Sequence, residues 1–233
     1  SSAQAPAAGA LFPTVAHLMN PQAAGGPRIS RDGTFVAYTV SSTDWKQDAF
    51  VTQIWIAHVP SGRTYQLTRG DKSCSNPQWS PAGTWLAFTS ARVGDKNQVF
   101  AIRPDGGEAF QLTSAENGVG GFAWSNDGKQ IAFTSSDAKE SEAKARKDHL
   151  GDFEVVRKEY AYQQLKTIVV AEAMTSPAPG VERTKGRDFT VGGFTWSPDD
   201  TRIAFSATVN PDLIQGGTAD LYVLDVAANT VRK

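Results

Sequence analysis

The 233-residue sequence predicts an all-β fold made of one repeated unit, and three observations support this. A tight turn that opens with serine recurs four times, at Ser30, Ser80, Ser125 and Ser197. Alternating apolar strands such as TWLAFTS and KQIAFTS follow the turns. The first two intervals, from 30 to 80 and from 80 to 125, are 50 and 45 residues, the length of one propeller blade. We therefore expect a β-propeller with four-stranded blades, present here as a partial ring of about four blades.

Each unit also contains the material for two further strands. Third strands are expected at 53–59, 98–103 and 220–226, each followed by a turn rich in Pro, Gly or Asn. A last strand then ends in Gln-Leu-Thr in the first two units. A β-sandwich has similar strand spacing, but near-identical phrases at blade-like intervals favour radial repetition.

The repeats divide the chain into an N-terminal arm, residues 1–25, and a partial propeller, residues 26–233. Blades are expected to start near 26, 76, 121 and 192. The interval from Ser125 to Ser197 is 72 residues, because it contains a charged insertion at 137–164. After the insertion, LKTIVVAEA (165–173) is expected to be the third strand of its blade, and 11–19 is expected to form a short helix.

Two recurrent residue types have structural explanations. Trp79, Trp124 and Trp196 each directly precede a turn serine, and we expect them to fill the space between neighbouring blades rather than form a binding platform. Glycine pairs at 120–121 and 192–193 precede two of these tryptophans and should permit close approach of strands.

Composition limits the functional classes. A net charge of −1 gives no support for a nucleic-acid partner, and no apolar run is long enough for a membrane span. The single Cys74 excludes an internal disulfide and a cysteine-based zinc site. The small residues of SSAQAPAAGA are typical of a mature end left by signal-peptide cleavage, which predicts a periplasmic or secreted protein; a flexible cytosolic tail is the alternative.

No catalytic residue is expected in this chain. It lacks a Gly-x-Ser-x-Gly nucleophile elbow and a phosphate-binding loop. His17, His58 and His149 are scattered without the spacing of a metal site or a catalytic triad, so neither metal nor cofactor is expected.

The charged insertion supplies the candidate substrate-binding residues, Glu154 and Glu159. Insertions from a blade are usually solvated, but loops on rigid scaffolds also shape access to sites. A carboxylate there could hold the free α-amine of a peptide through a charge-assisted hydrogen bond.

The fourth unit reaches only 231–233 where its last strand should begin. Either the region 11–28 supplies the missing strand, or the chain is the front part of a longer product, which we favour. The remainder would be the main partner, continuous with this chain or separated by a protease cut at the exposed Arg232-Lys233.

Four stretches together resemble the propeller half of the prolyl oligopeptidase family, in particular its bacterial dipeptidyl aminopeptidase and acylaminoacyl peptidase group. They are NPQAAGGPRISRDGTFVAYTVSS, IWIAHVPSGRTYQLT, the WSPDG-like turns and the insertion segment GDFEVVRKEYAYQQL. The turns alone also occur in the periplasmic propeller of the Tol system. The insertion favours the peptidases.

The resemblance implies a seven- or eight-bladed propeller that caps an α/β-hydrolase domain and admits only short peptides to a Ser-Asp-His triad. That triad would lie beyond this chain, and the family needs no cofactor. Dipeptidyl members hold the substrate amine with paired glutamates, whereas the insertion here lacks a Glu-Glu pair. The expected function is therefore the gating propeller of a serine peptidase. The alternative is a stand-alone, protein-binding propeller of the Tol type.

Overall fold

A computed structural model of the chain describes residues 22–137, 149, 161–186, 190–208 and 218–233. Glu154, Glu159, the expected helix at 11–19 and most of the insertion lie outside the described residues. The predictions made for them are therefore untested.

The described residues form four antiparallel sheets of four strands each. The first blade contains β1 (Ala23–Ile29), β2 (Phe35–Asp44), β3 (Ala49–His58) and β4 (Arg63–Gln66); the second contains β5 (Cys74–Trp79), β6 (Leu86–Ser90), β7 (Gln98–Arg103) and β8 (Gly106–Gln111). The third contains β9 (Phe122–Trp124), β10 (Gln130–Ser136), β11 (Gln163–Val169) and β12 (Val181–Glu182); the fourth contains β13 (Thr190–Trp196), β14 (Arg202–Thr208), β15 (Asp220–Asp225) and β16 (Thr230–Arg232).

Consecutive strands are neighbours in every sheet, as expected for propeller blades. Apolar clusters join the first blade to the second, the second to the third and the third to the fourth. Among the described residues no such cluster joins the fourth blade to the first. The all-β propeller and the partial ring of four blades are confirmed, and the β-sandwich alternative is wrong.

The serine turns are held by side-chain hydrogen bonds that their sequence specifies. In the fourth turn, the Ser197 hydroxyl donates to the Asp199 carboxylate at 2.6 Å and accepts the amide of Arg202 at 3.0 Å. Asp199 also accepts the amide and hydroxyl of Thr201. The same serine–aspartate contact recurs between Ser30 and Asp32 and between Ser125 and Asp127.

These bonds lower the pKa of Asp199 from 3.8 to about 2, first through the hydroxyl of Ser197 and then through the amide of Thr201. A depressed folded-state pKa stabilises the fold above the unfolded value, and that contribution is lost as the pH falls through the folded value. We expect Asp199→Asn to have a lower free energy of unfolding than wild type at pH 5. This difference should shrink as the pH falls from 3.8 towards 2. Denaturant titrations across this range measure the difference. A gap that stays constant down to pH 2 would contradict the role given to the carboxylate.

The glycine pairs are explained by a hydroxyl beneath each of them. A β-carbon at position 120 would lie 2.9 Å from the Thr134 hydroxyl, and one at position 192 would lie 3.0 Å from the Ser206 hydroxyl. Those hydroxyls accept the amides of Gly121 and Gly193 at 3.0 and 3.1 Å. The expectation of close strand approach is confirmed, and it accounts for the repeated Ala-Phe-Thr/Ser phrase of β10 and β14.

The three tryptophans lie between blades, as expected. Trp79 donates from Nε1 to the Arg28 carbonyl of the first blade at 2.8 Å, and Trp196 donates to the Ala123 carbonyl of the third blade at 3.3 Å. Trp124 packs on the core between the second and third blades, and its buried Nε1 has no hydrogen-bond partner among the residues that the structure describes.

A buried glutamine–threonine pair, here called the Gln–Thr clasp, closes three blades. The threonine hydroxyl donates a hydrogen bond to the side-chain Oε1 of the glutamine. It also accepts a hydrogen bond from the backbone amide of the residue that follows the glutamine. The clasps are Gln53–Thr68, Gln98–Thr113 and Gln164–Thr184. They explain the threonine that ends the Gln-Leu-Thr phrase in the first two blades.

Two strand predictions were wrong in extent. The third strand of the third blade ends at Val169, and Val170–Ala173 forms one helical turn, α1. Val170 and Ala173 are buried in the core between the second and third blades, which turns the chain inward instead of extending the strand. The third strand of the first blade was expected at 53–59, but β3 begins at Ala49, because its pairing with β2 continues as far as Asp44 and Ala49.

Residues 11–28 do not complete the fourth blade in the described part of the chain. Ala23–Ile29 instead pairs with β2 as the first strand of the first blade.

Candidate functional site

The blades have two chemically different edges. Because consecutive strands are antiparallel, connections alternate between the edges. One edge, here called the turn edge, carries the four serine turns. The opposite edge, here called the loop edge, carries the connections between second and third strands, including the charged insertion between β10 and β11. The long, charged insertion therefore emerges from the loop edge.

The insertion is anchored at its base by polar contacts. The amide of Asp137 donates to the Tyr162 carbonyl at 3.0 Å, and the Asp137 carboxylate accepts the amide of Tyr162 at 2.8 Å. The amide of Gln163 donates to the Thr190 hydroxyl of the fourth blade at 2.8 Å. The base of the insertion is therefore fixed at the junction of the third and fourth blades.

The long first hairpin adds aromatic surface to the same edge. β2 and β3 continue for four residue pairs, from Ser41–Thr52 to Asp44–Ala49, beyond the position where β6 and β7 part. At about 3.3 Å per residue, this extension is roughly 13 Å long. Trp45 and Phe50 lie on it with exposed fractions of 55% and 65%. The loop edge therefore combines a charged insertion with exposed aromatic side chains.

Among the described residues one serine–histidine contact occurs, and it lacks the third group of a catalytic triad there. His58 Nδ1 lies 2.7 Å from the Ser61 hydroxyl, in a turn at the turn edge. The His58 ring also lies 5.1 Å from the Phe35 ring. Within the described residues no carboxylate orients His58, so the third member of a triad is missing. Of the other two histidines, His149 is exposed and His17 lies outside the described residues.

Metal-binding and membrane features are absent from the described part of the chain. No group of three or more His, Cys, Asp or Glu side chains there could hold a metal ion. No helix in the described ranges has the length and apolar character needed to cross a membrane. The single Cys74 is fully buried.

A cavity that the sequence did not predict lies between the first and second blades. It has a volume of about 450 Å³, and Arg69, Arg92 and Glu108 are among its lining residues. The three charges are widely separated along the chain, so no local pattern marks them as neighbours.

Comparisons with known proteins agree with the propeller fold described above. Residues 15–167 match the model of the PD40 family, the TolB β-propeller domain. An 80-residue segment is 36% identical to the uncharacterized peptidase YuxL of Bacillus subtilis (strain 168), spanning 34% of this chain and 12% of that protein.

Solved structures with the same fold include peptidases and a putative TolB. The acylaminoacyl peptidase of Pyrococcus horikoshii matches with a TM-score of 0.64 at 16% identity, over 91% of this chain and 32% of that one. A putative TolB from Agrobacterium tumefaciens matches with a TM-score of 0.54 at 17% identity, over 88% of this chain and 62% of that one. The chain thus spans about a third of the peptidase structure, and the resemblance to peptidase propellers is confirmed at the level of the fold. This chain belongs to the PD40 family of TolB-type β-propeller domains.

Proposed function

We propose that this chain is the propeller part of a serine peptidase of the dipeptidyl or acylaminoacyl peptidase type. The propeller would restrict access of short peptides to a Ser-Asp-His site on a C-terminal α/β-hydrolase domain. The observation that carries the proposal is the 36% identity over 80 residues to the uncharacterized peptidase YuxL. In the described residues His58 lacks an orienting carboxylate, which agrees with a catalytic site located elsewhere.

One face of the fourth blade favours the view that further blades pack against it. By strand register, Leu221 and Val223 of β15 occupy the positions of Ile54 and Ile56 in the first blade. The two isoleucines are fully buried against the second blade, whereas Leu221 and Val223 are 76% and 41% exposed. This surface, here called the forward face of the fourth blade, has the apolar character of an interface between blades.

A second candidate function is a stand-alone, protein-binding propeller of the TolB type. The family match and the coverage of 62% of a putative TolB structure favour it. The two candidates differ in one measurable property, since only the peptidase carries an activated serine.

Labelling the full-length gene product with a fluorophosphonate probe tests the proposal. We expect covalent labelling of a species larger than the 25.0 kDa of this chain, and no labelling of the 233-residue chain alone. An unlabelled full-length product that folds correctly would favour the TolB-type function.

The candidate residues Glu154 and Glu159 are part of this proposal. In the full-length enzyme, Glu154→Gln should raise KM about tenfold for a peptide with a free amino terminus, because it loses a charge-assisted hydrogen bond. KM for the same peptide with an acylated amino terminus should not change. Glu159→Gln tests the second candidate carboxylate in the same way. Steady-state kinetics on both substrates make the measurement, and an equal change on the free and acylated peptides would exclude amine recognition.

The proposed location is periplasmic or secreted, based on the small-residue N-terminus. Cell fractionation with antibody detection checks it. Recovery in the cytosolic fraction alone would contradict export.

A further inference from the structure

The cavity between the first and second blades has a mixed lining. It opens between the outer part of the first blade, just after β4, and β8 of the second. Its apolar wall is formed by Leu67, Ile102 and Ala109. Arg69, Arg92 and Glu108 provide two positive charges and one negative charge. A volume of about 450 Å³ lies within the range of small-ligand sites.

Arg92 is held rigidly, yet its hydrogen-bonding capacity is largely unused. Its guanidinium carbon lies 5.1 Å from the ring centre of Phe88 and 5.4 Å from that of Phe100, both buried. Nη2 donates to the Cys74 sulfur at 3.0 Å, and a thiol is a weak acceptor. Nε is buried without a hydrogen-bond partner in the described part of the chain. Among the described residues no carboxylate pairs with Arg92, so this partly buried cation has no anionic partner there.

The other two charges are available on the same cavity. Arg69 and Glu108 are exposed, and neither forms an ion pair within the described ranges. Arg69 adds a second positive charge to that of Arg92, whereas Glu108 offers a carboxylate. The cavity therefore presents partners for a carboxylate, an ammonium group and a small apolar group together.

We propose that this cavity binds a zwitterionic ligand of amino-acid or dipeptide size with an apolar side chain. The ligand carboxylate would pair with Arg92 and Arg69, and its ammonium group with Glu108. Its side chain would contact Leu67, Ile102 and Ala109. This inference goes beyond the proposed function, because the binding needs no hydrolase domain and is measured on the 233-residue chain.

Three related ligands test the charge requirements separately. Leucine, N-acetyl-leucine and leucinamide are titrated into the chain, and the backbone amide NMR signals of Gly107 and Ala109 are followed. We expect a dissociation constant of about 1 mM for leucine, the affinity available to a small ligand with a few charged contacts. Each capped form should bind at least about tenfold more weakly, since it lacks one charge-assisted hydrogen bond.

Variants of exposed residues locate the binding. Arg69→Ala and Glu108→Gln should each weaken leucine binding about tenfold. Arg31→Ala and Glu116→Gln remove exposed charges away from the cavity and should leave binding unchanged. Equal affinity for the capped ligands, no saturable shift with leucine, or full affinity in both cavity variants would overturn the proposal. These outcomes are independent of fluorophosphonate labelling, so either proposal can fail alone.

Discussion

Gly180→Ala should lower the free energy of unfolding by about 3 kcal/mol, because it combines a steric clash with backbone strain. A β-carbon at position 180 would lie 2.5 Å from Cζ and 2.8 Å from Cε1 of Phe133. The Phe133 ring is fully buried in the core between the second and third blades and cannot move aside freely. Gly180 also has a φ of +87°, which residues with a side chain rarely adopt.

The matched control is Gly186→Ala in the same blade. Gly186 has a φ of +78°, but a β-carbon there would meet no atom of the described residues within 4 Å. Its loss should therefore be only about 1 kcal/mol, the conformational part of the cost. Denaturant unfolding followed by tryptophan fluorescence measures both variants. Equal losses of unfolding free energy in the two variants would mean that the Phe133 ring moves aside and that it does not pack tightly against Gly180.

Thr113→Val should cost about 2–3 kcal/mol, although the two side chains have nearly the same shape. Thr113 is fully buried, and its hydroxyl donates to Gln98 Oε1 at 2.7 Å while accepting the amide of Val99 at 2.8 Å. Valine leaves that buried amide without an acceptor. Gln98 Oε1 keeps only its bond from the amide of Ala115.

The control for this variant is Thr175→Val, at an exposed threonine whose hydroxyl makes one long contact of 3.5 Å to the Ala171 carbonyl. It should change the unfolding free energy by no more than about 0.5 kcal/mol. Thr68→Val and Thr184→Val should resemble Thr113→Val, because the same clasp closes the first and third blades. If Thr113→Val costs no more than Thr175→Val, the clasp has no role in closing the blades.

The sequence predicted the blades because their specification is local. Ser197, Asp199 and Arg202 lie within six positions of one another, and their hydrogen bonds form one turn that any strand pair can use. Recurrence of that turn at blade-like intervals was sufficient to assign the fold. The tryptophan positions followed from the same repeat.

Features that depend on distant contacts could not be predicted in this way. Asp200 occupies the turn position where the other three turns have glycine, with a φ of +58°. Its carboxylate accepts the amides of Asn126 at 2.7 Å and Asp127 at 2.8 Å, which joins two turns more than 70 residues apart. The end of β11 at Val169 and the grouping of Arg69, Arg92 and Glu108 likewise depend on packing between blades.

Thiol labelling at Leu221 tests most directly the proposal that the four blades belong to a larger propeller. Leu221→Cys should react rapidly with a maleimide in the 233-residue chain, where the side chain is 76% exposed, and at least about tenfold more slowly in the full-length gene product, where a further blade would bury it. Native Cys74 is fully buried and should remain unreacted, whereas Val59→Cys at the turn edge should react rapidly in both proteins. Equally rapid labelling of position 221 in both proteins would contradict the account.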